Sequence, residues 1–425
     1  MQILLGFLMP ERVSLHRRST ILNAAASMLD AAQSMLLLIA VTRVCGADQG
    51  GMLSISLAVA YQMVVIGRYG MRDFQATDIH EDFSFAAYVK SRIITSCMML
   101  AFVAGYIFFN DYSLQKAGIM AAVSLYKAVD VVEDVYHGYY QRAGRLDSAA
   151  LAQTIRYGTT IILYVTLLLI THDLLLSTII SASYSALIFV LLNKPLRTVF
   201  SAPALAKGQW PEVKKLLIQC APLGICAFLQ LFVINGPKYA IDVYLNDVAQ
   251  TDYGAISMPL FAINLLSMSI YRPLLLNMAH LWHLSKFTEL KKMMGKQFMF
   301  IAALTAAAML LGYLWGIPVL SLLYGIDLSG YRKALMILIF GGGAAAVSGF
   351  MTSIIAVMRL QKRLMMGYGA AVLAELILAV VLVAKWGVTG ASILFTVSMF
   401  LLAVITGTTV YGAIKRFIPQ KREAA

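Results

Sequence analysis

The chain has 425 residues, of which 60% are hydrophobic and only 13% charged, and its 34 Lys and Arg against 21 Asp and Glu give a formal charge of +13. So little charge over such a length excludes an ordinary soluble enzyme and fits a chain that lies mostly in hydrocarbon, where each crossing helix needs roughly 20 apolar residues. The surplus cations are scattered over seven short polar segments, where membrane orientation and anionic headgroups account for them, so no nucleic-acid partner is expected.

In chain order, the opening MQILLGFLMPERVSLHRRST sets a short apolar run before its charges, the reverse of a cleavable secretory signal, and reads as a cytoplasmic lead-in at the membrane surface. Apolar stretches follow at about 20–42, 51–68, 91–110, 116–136, 150–171, 174–192, 216–236, 252–274, 297–315, 334–358, 365–384 and 388–412. The fold class is therefore all-α: a polytopic membrane protein of about 12 transmembrane helices. If the amino terminus is inside, 27 basic residues fall on inner segments, 6 on outer segments and Lys127 within the fourth span. Basic loops stay cytoplasmic, so both termini are expected in the cytoplasm and the number of spans is even.

The longest polar interruption, NKPLRTVFSAPALAKGQWPEVKK, divides the chain into an N-terminal lobe (1–192), a cytoplasmic linker (193–215), a C-terminal lobe (216–412) and a cytoplasmic tail (413–425). Two six-helix lobes that start on the same side match the parallel repeats of many transporters, with a central cavity between them. Cys45, Cys97, Cys220 and Cys226 show no metal spacing and read as small packing residues. The sequence holds no Gly-rich phosphate loop ending in GK[ST], no HExxH, no GxSxG and no CxxC, so neither ATP hydrolysis nor a cofactor is implied.

Ionisable residues inside spans carry the functional signal, because each is costly unless it meets water or a partner. Asp30 lies near the middle of the first span, with Gln33 one turn on. Lys127, Asp130 and Asp134 form one stripe at i, i+3 and i+7, with Glu133 beside it. At ~1.5 Å per residue Lys127 lies about 14 Å from the inner end of its span. The spacing allows an intrahelical Lys127–Asp130 pair as readily as a cation open to a cavity. Asp134 and Glu133 are expected to reach the cytoplasmic interface. Glu375 stands alone in AAVLAELILAVVL, so it and Asp30 are candidates for ion coupling.

A second group marks the ends of spans. Arg68 and Arg72 are one turn apart, and two guanidinium forks suit a diphosphate. Lys238 is an outer cation immediately after Gly236–Pro237, which should break or kink the seventh helix. Arg43 closes the first span on the outside, and Arg272, before Pro273, is the inner counterpart in the eighth.

Several stretches resemble bacterial polysaccharide flippases of the multidrug/oligosaccharidyl-lipid/polysaccharide exporter superfamily. They are TRVCGADQGGMLSISLA (42–58), GRYGMRDFQATD (67–78), the run from Lys127 through HGYYQRAGRLDSA, NGPKYAIDVYL with MPLFAINLL and YRPLLLNMA, IPVLSLLYGIDLSGYR (317–332) and WGVTGASILF (386–395). The resemblance implies alternating access and the transfer of undecaprenyl-diphosphate-linked oligosaccharide units to the outer leaflet of the bacterial plasma membrane. It implies substrate contacts at Arg43, Arg68, Arg72, Lys127, Lys238 and Arg272, and a neighbouring polymerase and glycosyltransferases as partners, with membrane lipids around the chain. Two other readings remain open: a cation-coupled multidrug exporter of the same fold, favoured by Asp30 and Glu375, and a membrane-embedded polysaccharide polymerase, for which the short outer loops leave little room.

Overall fold

The computed structural model describes residues 15–78, 82–199, 210–358 and 360–422. The lead-in before Leu15, residues 200–209 of the linker and the end of the tail at 423–425 lie outside the described residues. Among the described residues the chain is helical throughout, with no strand.

It forms two compact units that divide between Phe228 and Leu229. In the first, α1 (Leu15–Cys45), α2 (Ala47–Arg68), the short α3 (Met71–Thr77), α4 (Phe85–Phe109), α5 (Leu114–Arg142), α6 (Leu146–Thr171) and α7 (Leu174–Val199) lead into α8 (Trp210–Tyr244), which continues into the second unit. There follow α9 (Asp247–Ile256), α10 (Met258–Tyr271), a 3-10 turn at Arg272–Leu274, α11 (Leu275–His283), α12 (Phe287–Leu311), a π turn at Gly312–Gly316, α13 (Ile317–Tyr324), α14 (Arg332–Val357) and α15 (Gln361–Arg422).

Ten stretches of the described residues are long and apolar enough to cross a bilayer. Two features reconcile that number with the twelve spans read from the sequence. The last stretch, Arg363–Lys415, has 53 residues, far longer than one crossing requires, and Gly387 breaks it with φ 55° and ψ −134°, a conformation open to a residue without Cβ. Helix α5 is 29 residues long, but its charged stripe keeps it out of the ten. The helices overrun the expected spans by one or more polar turns at many ends; α7, for example, continues through Pro195 to Val199. The expected break at Gly236–Pro237 does not occur, because α8 runs unbroken for 35 residues.

Unit 1 is built around α5. Near its start, Ile119 and Val123 pack with Leu37, Leu53, Leu57, Tyr164 and Leu168. Near its end, Val135 packs with Met71, Phe83, Phe85 and Tyr88, and also with Leu216 and Cys220 of α8. These apolar clusters leave the middle of α5, Lys127 to Asp134, as a buried polar layer. The outside is inverted relative to a soluble protein: Leu114 and Phe109 are 94% and 82% exposed while Arg156 is 0% exposed, which is the pattern hydrocarbon demands.

In unit 2, α14 takes the central place. Its consecutive glycines turn toward three neighbours: Gly341 against Thr396 of α15, Gly342 against Leu260 and Ile263 of α10, and Gly343 against Thr305 of α12. Small residues at such contacts let helix backbones approach where no hydrophobic force drives association in lipid.

Candidate functional site

The polar stripe on α5 follows from helical spacing, since residues three and four apart share a face. Lys127 Nζ donates to Asp130 Oδ2 at 2.9 Å within that helix and to Gln33 Oε1 of α1 at 2.9 Å, and lies 3.4 Å from Asp30 Oδ1. The intrahelical pair and an interhelical one therefore coexist. The other oxygen of Asp130 accepts from Arg156 Nη2 of α6 at 2.5 Å. Arg156 also reaches Glu133 Oε2 at 2.6 Å and Ser185 Oγ at 2.7 Å, so α5, α6 and α7 are tied together.

A turn further along α5, Asp134 Oδ2 accepts from Arg92 Nη2 at 2.7 Å, and Oδ1 lies 3.4 Å from Arg72 Nη1. Arg92 Nη1 donates to the carbonyl of Gly67 at 2.7 Å, joining Thr95 Oγ1 on the same acceptor. That carbonyl lies in the last turn of α2, where helix carbonyls lack intrahelical partners and attract cations. Four carboxylates (Asp30, Asp130, Glu133, Asp134) thus meet four cations (Arg72, Arg92, Lys127, Arg156). A layer so balanced makes the desolvation of its charges tolerable.

Asp134 and Glu133 are accordingly buried ion-pair partners and do not reach an interface as expected. Arg92 and Arg156, which the sequence assigns to orientation with the other inner cations, are 2% and 0% exposed and hold the layer together. Their signal was their position inside apolar spans. Asp30, Lys127 and Arg72 are brought into this layer. Arg68 is half-buried nearby on α2, with its Nε buried and without a hydrogen-bond partner among the described residues. Arg43 is exposed at the end of α1, and Arg272 is exposed in the 3-10 turn after α10.

Lys238 and Glu375 belong to unit 2. Lys238 lines a pocket together with Asn235, Tyr253, Ser257, Asn264 and Phe395. It has no hydrogen-bond or ion-pair partner among the described residues, unlike Lys127. Glu375 is buried against Gly236, where a Cβ would collide with its carboxyl group. Ser398 lies beside it, yet neither carboxylate oxygen closes a hydrogen bond of ordinary geometry. Gly236 therefore serves as clearance for Glu375.

No family model matches this sequence, and no curated protein does. Solved structures do resemble the fold. An inward-facing multidrug resistance MATE family transporter of the MOP superfamily aligns over 98% of this chain and 98% of its own, with TM-score 0.64 and 12% identity. The lipid II flippase MurJ in an inward closed conformation aligns over 90% of this chain and 87% of its own, with TM-score 0.63 and 12% identity. A point mutant of the Vibrio cholerae MATE transporter VcmN aligns over 94% of this chain and 98% of its own, with TM-score 0.61 and 13% identity. At such identities the likeness speaks for the fold alone. This chain is an all-helical, multi-pass membrane protein whose fold is similar to those of the MATE transporters and of the lipid II flippase MurJ.

Proposed function

We propose that this protein is a flippase of the bacterial plasma membrane that moves polyprenyl-diphosphate-linked oligosaccharide units to the outer leaflet by alternating access. The observation that carries the reading is Lys238, an ammonium without a counter-ion among the described residues, in a pocket that also offers the amides of Asn235 and Asn264. A positive charge held in place without its own carboxylate favours an anionic ligand group, and amides with tyrosine and serine hydroxyls suit phosphate and sugar oxygens. Arg68, with Arg72 beside it already paired to Asp134, supplies a second cationic position on unit 1, and the exposed Arg43 and Arg272 supply charge at the ends of their spans. Lys127 and Asp30 neutralise each other, which leaves the diphosphate to the remaining cations. A polymerase and glycosyltransferases would act beside it on the same lipid-linked sugars.

The test is a clean deletion in the native host. Lipid-linked repeat units should accumulate on the cytoplasmic face and surface polysaccharide should fall; unchanged surface polysaccharide counts against the reading.

Glu375 favours a second reading, a cation-coupled multidrug exporter of the same fold. A buried carboxyl group with no ordinary hydrogen bond is suited to binding a proton, a metal ion or a cationic drug. Raised resistance to cationic drugs on overexpression, lost in Glu375→Gln, would support it over the first.

A further inference from the structure

We infer that unit 1 contains a complete site for a small monovalent cation, which the chain fills permanently with the ammonium of its own Lys127. The inference does not depend on the cargo, so it stands or falls apart from the flippase reading.

The stoichiometry of the site is that of an alkylammonium. Lys127 has three N–H donors, and three oxygens from separate residues surround it: Asp130 Oδ2 and Gln33 Oε1 at 2.9 Å and Asp30 Oδ1 at 3.4 Å. Three aromatic faces complete the enclosure, with the ammonium 4.5 Å from the ring centroid of Tyr61, 5.4 Å from Tyr126 and 5.6 Å from Tyr157. Carboxylates with tyrosine rings are the groups that recognise organic ammonium ions.

The cradle is also held by groups other than the lysine. Arg156 fixes the far oxygen of Asp130, and the amide of Gln33 is hydrogen-bonded to the hydroxyl of Tyr126. Its members come from α1, α2, α5 and α6, so removing one side chain leaves the other walls supported. Gln33 and Tyr126 also border a small, mainly apolar cavity lined by Leu37, Leu53, Leu57 and Val123, where the hydroxyls of Thr160 and Ser181 have no hydrogen-bond partner among the described residues.

Lys127 is thus a tethered counter-ion, and the wild-type site has no vacancy for a cation from solution. The test is thermal unfolding of the purified full-length protein with increasing methylammonium, ethylammonium, Na⁺ or K⁺, using tetraethylammonium as a cation too large for the cradle. Lys127→Ala should unfold at a lower temperature than wild type and regain most of the loss, saturably, with methylammonium or ethylammonium but not tetraethylammonium. The pair Lys127→Met with Asp130→Asn should show no such rescue. Wild type should be unmoved by every cation. A folded Lys127→Ala protein that does not respond to small ammonium ions overturns the inference. So does saturable stabilisation of wild type by Na⁺, K⁺ or methylammonium that Asp30→Asn abolishes. If Lys127→Ala does not fold, the wild-type titration decides alone.

Discussion

Nη2 of Arg156 lies 2.5 Å from one carboxylate oxygen of Asp130, while the other oxygen of the same carboxylate is held by Lys127 at 2.9 Å. One acid on α5 therefore neutralises a cation from its own helix and another from α6. Asp130→Asn should leave both buried cations short of charge. Breaking a buried pair by removing one partner costs about 3–5 kcal/mol. The pair Asp130→Asn with Lys127→Met restores the balance and should be less damaging than the sum of the two single changes. A double-mutant cycle on unfolding in detergent measures this, and strict additivity would remove the coupling.

Arg92 joins two acceptors, Asp134 Oδ2 and the Gly67 carbonyl, each at 2.7 Å. A guanidinium spans both, whereas the compact ammonium of lysine cannot reproduce the fork. Arg92→Lys should therefore destabilise by about 1–3 kcal/mol, the cost of leaving a buried acceptor unmatched. The same exchange at the exposed Arg43 should leave the unfolding temperature nearly unchanged.

Gly236 lies against the carboxyl group of Glu375, while Gly407 has open space where a Cβ would stand. Gly236→Ala should force Glu375 aside and lower stability. Gly407→Ala should be neutral or gain about 0.5–1 kcal/mol, the ordinary benefit of replacing glycine inside a helix. Combining Gly236→Ala with Glu375→Ala should recover much of the loss, and parallel melts of the three variants check it.

Lys238 gives the most specific functional expectation. Lys238→Ala should slow export by about ten- to a hundredfold, the value of a charge-assisted contact of about 1.5–3 kcal/mol. Lys238→Arg should be milder, since the contact asks first for positive charge. Normal membrane levels with equal export by Ala and Arg variants would make the residue structural.

Much of this architecture was legible because hydrocarbon imposes simple rules: long apolar runs, and acid–base spacing of three or four along a helix. The Lys127–Asp130 pair was one of two readings that the spacing on α5 allowed. Arg92 and Arg156 could not be placed, because a count by loop treats a cation just inside a span as orientation, and their partners lie 42 and 26 residues away. Of the break or kink expected at Gly236–Pro237, the break is absent, since the helix runs on to Tyr244. Local propensity favours a break there, while the Glu375 carboxyl group packed against Gly236 comes from a helix nearly 140 residues later in the sequence. The pocket around Lys238 joins α8, α9, α10, α14 and α15, which no local pattern could assemble.

The central claim is best tested by reconstituting the purified protein in vesicles that carry a polyprenyl-diphosphate-linked oligosaccharide in the inner leaflet. The rate at which the sugar becomes accessible to an external glycosidase reports transfer. Wild type should accelerate it well above protein-free vesicles, and Lys238→Ala should lose most of that gain. Equal rates with and without the protein, under every ion gradient applied, would contradict the account.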